Sequence, residues 1–205
     1  MRLPCGASGE EALSKKILII TGDGGETYEV LYAKHRFMEA GYEPVIAAQS
    51  KKRLHLVIHD FEPGWDTYKE RPGYELNADI TFDKVKIKDY LATFCIGGRA
   101  PEYLRNNKDA VKLLQDGEKL GLWHLSICHG QQLSAAAGLL RGKKVTCYEN
   151  IRHEVIADGA FYQKQEAVRD GRVITGQTWQ SHPWFYKLVF EAFNEKAAPK
   201  AAKKK

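Results

Sequence analysis

Cys128 is the residue whose type and position can carry covalent chemistry. It stands in Trp123-His124-Leu125-Ser126-Ile127-Cys128-His129-Gly130, between an apolar run and a small-residue run, Leu133 to Leu140. The first run predicts a buried strand and the second a helix. The thiol would then sit on a sharp turn, facing the free N–H groups of a helix start, which favour negative charge. Such a position lowers a thiol pKa and makes a thiolate nucleophile, by the mechanics of a serine nucleophile elbow. A structural thiol is the alternative, because free cysteine is commonly buried. His129 follows directly. Successive helical residues diverge by about 100°, so adjacency alone does not pair the ring with the thiol, and a plain hydrogen-bonding role stays open beside proton transfer.

Three further groups could converge on that thiol. Gly22-Asp23-Gly24-Gly25 lacks the spacing of either phosphate-loop motif. It reads as a tight turn that lets Glu26 point across the sheet end, where a carboxyl can exchange a proton with a thiol or merely favour a helix start. Gly97-Gly98 is either a plain turn or a pair whose N–H groups face an oxyanion beside Cys128. Glu102, just past Pro101, reads most simply as a first-turn helix carboxylate. His124 belongs to the strand core, and His182 lies near the last helix. His55 and His59 have i, i+4 spacing, which suits a metal on a helix. The alternation of Leu54-His-Leu-Val-Ile-His59 predicts a strand instead, with the rings roughly 13 Å apart from the rise per residue. No metal site and no cofactor are expected.

The elements that must position these residues alternate. Lys16–Thr21, Pro44–Ala48, Ala92–Ile96, Leu122–Ile127 and Val145–Tyr148 read as strands, and Val168–Thr175 as a hairpin around Asp170-Gly171, a dipeptide suited to a tight turn. Helices are predicted over Glu26–Ala40, Asp109–Leu120 and Trp184–Asn194. Strands alternating with helices imply an α/β fold with a mostly parallel sheet covered on both faces. Such sheets bind ligands at the carboxyl ends of their strands, where loops 22–26, 97–102 and 128–130 meet. Residues 49–74 are the least regular stretch, apart from the alternation of Leu54–His59.

Charge is unevenly placed. The 205 residues hold 31 Lys+Arg and 26 Asp+Glu. Setting aside the five lysines of residues 196–205 leaves 26 bases against 26 acids over residues 1–195. The basic character belongs to this Lys-rich tail, which reads as a disordered, solubilising end. Nucleic acid would contact the protein only weakly and through that tail. Residues 1–15 read as an N-terminal extension without the apolar stretch of a signal peptide, and residues 16–195 as one domain. No run of about 18 apolar residues predicts a membrane span. Cys5, Cys95, Cys128 and Cys147 lack metal-type spacing and read as reduced thiols of a cytoplasmic protein.

The ordered set Thr81-Phe82-Asp83-Lys84-Val85, Gly97-Gly98-Arg99-Ala100-Pro101-Glu102, Ser126-Ile127-Cys128-His129-Gly130 and Leu139-Leu140-Arg141-Gly142 resembles the ThiJ/PfpI family. That family lies within the DJ-one and class I glutamine-amidotransferase-like superfamily. The resemblance runs from about Lys16 to Phe193 and implies a flavodoxin-like three-layer sandwich. It implies Cys128 as the reactive elbow cysteine, Glu26 as the acid bonded to it, His129 as its partner and Glu102 as the acid facing a histidine of a neighbouring subunit. The oxyanion donors would be the N–H groups of Gly98 and His129. A homo-oligomer, dimer or hexamer, follows from the same resemblance. So does a choice of function: a cysteine-dependent enzyme on a small carbonyl compound (glyoxalase III or deglycase type), a hydrolase of an amide or peptide, or a non-enzymatic chaperone or redox sensor. Gln131 replaces a proline common in relatives, and segment 51–72 is longer than in compact members.

Overall fold

The computed structural model describes residues 14–195. Residues 1–13, with Cys5, and the Lys-rich tail lie outside the described residues. In chain order the elements are β1 (Lys16–Ile20), α1 (Thr27–Glu39), β2 (Glu43–Ala48), β3 (Arg53–Asp60), β4 (Lys69–Asn77), β5 (Ile80–Thr81), β6 (Tyr90–Cys95), α2 (Ala100–Leu104) and α3 (Lys108–Leu120). The second half holds β7 (Trp123–Ile127), α4 (Gly130–Ala136), β8 (Lys144–Val145), α5 (Arg152–Ala157), β9 (Phe161–Tyr162), β10 (Ala167–Asp170), β11 (Val173–Gly176) and α6 (His182–Asn194).

Alternation in β1 shows how the layers form. Ile17 and Ile19 pack on one face of the sheet with Val30, Ala33 and Phe37 of α1 and Phe185 and Val189 of α6. Leu18 and Ile20 pack on the other with Ala110, Leu113 and Leu114 of α3 and Leu133 of α4. Successive strand residues point to opposite faces, so a strand apolar at every position must be covered twice. The seven-stranded sheet has the order β10-β11-β7-β6-β1-β2-β5. Its pairings are parallel except β10 against β11, which turn at Gly171 in the left-handed region (φ 62°). The fold is the expected α/β sandwich with a mostly parallel central sheet. The ends of α3 follow from its sequence. Asn107 accepts from the N–H groups of Asp109 and Ala110 at 3.0 and 3.1 Å, and Gly121 closes the helix at φ 73°.

Three expectations change. The strand expected over Val145–Tyr148 ends at Val145 and pairs with β9, outside the main sheet. Its next backbone groups are claimed by other partners. Thr146 N–H donates to Thr175 Oγ1 at 2.9 Å, Thr146 O accepts from the Gln131 amide at 2.8 Å, and Tyr148 N–H donates to Cys128 O at 3.4 Å. The helix after the elbow starts earlier than Leu133, at Gly130, and stops at Ala136, where Gly138 turns the chain (φ 75°). Segment 51–72 is not irregular. Most of it forms, with residues to 77, the two-stranded antiparallel ribbon β3–β4. This ribbon is tied to the carboxyl end of the main sheet by Gly24 N–H to His55 O (2.7 Å) and Val57 N–H to Gly25 O (2.9 Å). Among the described residues, no helix is long and apolar enough to cross a membrane.

Candidate active site

Cys128 follows β7 directly and has φ 58°, the single non-glycine described residue in the left-handed region. A side chain there costs on the order of 1–2 kcal/mol, and such strain persists only where the surroundings impose it. Here Cys128 N–H donates to Gly176 O at the end of β11 (3.1 Å). Gln131 binds the same corner together: its amide donates to the carbonyls of Ser126, Thr146 and Gly176 at 3.3, 2.8 and 3.0 Å. That network makes Gln131 the brace of this corner. The thiol is 2% exposed.

The loops expected to meet at the elbow do meet. Glu26 N–H donates to Gly97 O (3.2 Å) and Arg99 N–H to Gly24 O (2.7 Å). The N–H groups of His129 and Gly98 point at the Cys128 sulfur. Gly97 has a different task. Its N–H donates to Glu29 Oε2 at 2.7 Å, and a Cβ there would lie 2.6 Å from Cys128 Cβ and 2.7 Å from that oxygen. Only glycine lets the three groups approach this closely.

The carboxyl against the thiol is therefore Glu29, which hydrogen-bonds Cys128, and not Glu26. Glu26 caps α1: its Oε2 accepts from Glu29 N–H at 2.7 Å, and its carboxylate also takes the N–H groups of His59 and Tyr28. It reaches Cys128 only through space. Burial raises the Glu26 carboxyl from 4.5 to about 7, against the lowering effect of those N–H bonds. Burial, then the Glu26 charge, pushes Glu29 well above the ordinary range. Burial and the Glu29 charge push the Cys128 thiol up as well. The expected low-pKa thiolate at a helix start is thus corrected: α4 is only seven residues long, while three buried acids compete for charge. Two neighbouring negative charges are disfavoured there, so burial favours the protonated form of each group.

His129 is buried with Nδ1 3.3 Å from Cys128 Sγ. Burial, then His59, lowers it to about 4. Its ring lies among Tyr148, Tyr68 and His59 at centroid distances of 4.9, 5.8 and 6.3 Å. Glu102 is exposed on α2 and makes no contact with His129 of its own chain among the described hydrogen bonds. His55 and His59 do lie on one strand, and each takes its own carboxylate: Glu75 for His55 and Glu70 for His59, both at 3.0 Å. His124 is held inside the core by Thr93 and Ser134. His182 stacks on Tyr32 at 4.6 Å, away from the thiol. Cys95 and Cys147 are buried thiols pushed up to about 12 by burial.

Glu29, Glu70 and Tyr148 escaped the sequence reading, and His59 was weighed there only as a metal ligand. Glu29 had a usable signal: it is three residues from Glu26, on the same helix face, in line with the buried Val30, Ala33 and Phe37.

The DJ-1/PfpI family model matches residues 15–192. The chain belongs to the DJ-1/PfpI family. Within it, the chain is 35% identical over 179 residues to protein DJ-1 homolog D of Arabidopsis thaliana, covering 84% of this chain and 46% of that protein. It thus spans about half the length of the plant relative. It is 35% identical to deglycase PfpI of Pyrococcus furiosus, over 79% of this chain and 89% of that one. Protein/nucleic acid deglycase 2 of Escherichia coli is 30% identical, with 84% and 94% covered. The DJ-1/PfpI fold is seen again in a ThiJ/PfpI domain protein from Brachyspira murdochii, with TM-score 0.77 at 19% identity, covering 90% of this chain and 99% of that chain.

Proposed function

We propose that this chain is a cysteine-dependent enzyme of deglycase type, acting on small carbonyl compounds or their adducts through Cys128. The observation that carries this reading is the strained elbow thiol in contact with the proton-holding carboxyl of Glu29. Relatives named deglycases support the class. In the first step the Cys128 sulfur attacks a carbonyl carbon. A carbon–sulfur bond forms, the C=O π pair moves to oxygen, and that oxygen takes the Glu29 proton while the thiol proton replaces it on the carboxyl. The N–H groups of Gly98 and His129, already aimed at the sulfur, lie beside the developing oxyanion.

A small substrate suits the mouth. Tyr148 stands between His129 and a cavity of about 450 Å³ lined by Phe61, Trp65, Thr67, Gln177 and Thr178. Its hydroxyl is held by Thr67 at 3.1 Å and Asn150 at 2.8 Å. A thiol only 2% exposed suits a small substrate better than a folded polypeptide. His129 lacks a carboxylate among the described residues and Glu102 is exposed, which supports a homo-oligomer with Glu102 facing the neighbouring active site.

The test is consumption of methylglyoxal and of its hemithioacetal with N-acetylcysteine, with Cys128→Ser as the blank. Wild-type turnover abolished in Cys128→Ser is expected. A wild type no faster than Cys128→Ser sinks the reading. Sedimentation of the wild type as a monomer, with Glu102→Gln at full activity, removes the oligomer part.

A further inference from the structure

His59 lies next to His129, whose Nδ1 is 3.3 Å from Cys128 Sγ, and has a carboxylate behind it. It is 1% exposed and sits on β3, whose Val57 forms an isolated bridge with Glu26. Its backbone N–H donates to the Glu26 carboxylate, which fixes its place in the same cluster of acids that surrounds the thiol. Its ring lies flat on Tyr68, with centroids 3.7 Å apart and planes at 15°, and 6.3 Å from the ring of His129. Its Nε2 lies 3.0 Å from Glu70 Oε2, and that oxygen accepts from Arg99 Nε at 2.6 Å.

This chain of contacts fixes a tautomer. A carboxylate accepts and does not donate, so Nε2 carries the hydrogen and Nδ1 keeps its lone pair. Nδ1 is buried and has no protein partner. A buried acceptor left without a donor costs about 1–3 kcal/mol, and such groups in a native fold call for a functional account. A ring held by a carboxylate on one nitrogen and unpartnered on the other is the arrangement of an oriented base. His129 has no such carboxylate among the described residues.

We propose that His59 is the general base of the Cys128 reaction, oriented by Glu70 and, through it, by Arg99. The proposal rests on Cys128 as nucleophile. On the hemithioacetal of a 2-oxoaldehyde, Nδ1 takes the proton from the sulfur-bearing carbon. The electron pair of that C–H bond enters an enediol, and the carbonyl oxygen gains a proton. Return of the proton to the neighbouring carbon, with loss of the hydroxyl proton on the first, gives the thioester of a 2-hydroxy acid. Water then releases the acid and restores the thiol. The sequence is an isomerisation followed by a hydrolysis and needs no external oxidant or reductant.

The groups around His59 set the pH behaviour. Burial lowers its pKa; Glu70 and the exposed Glu102 raise it, and Arg99 lowers it. His129 and Glu26 face it as well. The ring is therefore neutral at neutral pH, and protonation in acid removes the base.

The experiment compares wild type, His59→Gln and Glu70→Gln on the hemithioacetal of methylglyoxal, reading kcat against pH, Cys128 alkylation by iodoacetamide and melting temperature. His59→Gln is expected to lose about 100-fold or more in kcat with the Cys128 alkylation rate unchanged. Glu70→Gln is expected to move the acid limb to lower pH, since the charge that raises His59 is gone. Wild-type kcat in His59→Gln, or an acid limb that stays put in Glu70→Gln, overturns the assignment. If His59→Gln does not fold, Glu70→Gln alone decides. If wild type shows no turnover, the functional reading fails by itself. The ¹⁵N shifts of labelled histidine then judge His59 separately: hydrogen on Nε2 supports the assignment, and hydrogen on Nδ1 overturns it.

Discussion

Two glutamates one helical turn apart divide the work at the thiol. Glu26 ends a loop and starts α1; Glu29 touches sulfur. The distinction has a direct readout in the pH dependence of Cys128 alkylation. Glu29→Gln removes the charge that, after burial, does most to raise the thiol pKa, so the alkylation midpoint should move to lower pH. Glu26→Gln should shift it less, because its charge ranks behind that of Glu29. It should also lose about 1 kcal/mol of stability where the amide caps α1 less well than the carboxylate. Iodoacetamide rates from pH 6 to 10 check both, and a larger shift in Glu26→Gln would reverse the two roles. The spacing of Glu29 from Glu26 and its line with Val30, Ala33 and Phe37 mark it as buried, but do not show that it is aimed at a residue nearly a hundred positions away, whereas a carboxyl after a glycine turn attracts notice. That is why Glu26 was singled out and Glu29 was not.

At the scale of elements, the ribbon β3–β4 decides access to the thiol. Its grip is a handful of hydrogen bonds, among them Trp179 Nε1–H to His59 O at 2.8 Å. Removing that bond with Trp179→Phe should cost about 1 kcal/mol and should raise the Cys128 alkylation rate, because the ribbon lifts more often. An unchanged rate beside a lowered melting temperature would mean that opening occurs elsewhere. The strands of the main sheet were legible because burial on both faces makes them continuous apolar runs: Ile17–Ile20 and the strands ending at Cys95 and Ile127 announce themselves. The ribbon did not. Lys69-Glu-Arg-Pro-Gly-Tyr-Glu-Leu-Asn77 is largely exposed along its length and carries Pro72 and Gly73, residues that usually break strands. It is a strand because β3 and the loop of Glu26 hold it, and that information is not local.

For the whole molecule, acid should be a specific weakness. Burial holds His124 and His182 down to about 3 and His129 to about 4, from 6.5. Each folded-state value is depressed, so the unfolded chain takes up protons first as pH falls below 6.5, and stability is lost through that window. Glu26 acts in the opposite sense between 4.5 and about 7, and Glu29, raised well above 4.5, acts with it; against these two carboxyls stand four depressed imidazoles, His59 being the fourth. His182 is the cleanest probe. Both its ring nitrogens lack partners, and it stacks on Tyr32. His182→Phe should therefore keep the stack and recover on the order of 2 kcal/mol at pH 5 relative to pH 7. Melting curves at the two pH values check this, and an equal change at both would show that the ring's ionisation is not what matters.

The indole bond from Trp179 to β3 also equips the protein with an optical reporter. Trp65 and Trp184 are already more than half exposed, so their emission is that of indole in water and changes little when the ribbon moves. Trp179 is wedged among Tyr28, Phe61 and the ribbon backbone, and its surroundings differ between a covered and an uncovered thiol. The difference in emission between wild type and Trp179→Phe isolates that one fluorophore. Followed in a stopped-flow instrument, it gives the opening rate of the mouth without any label, and shows whether substrate waits for the ribbon or the ribbon waits for substrate.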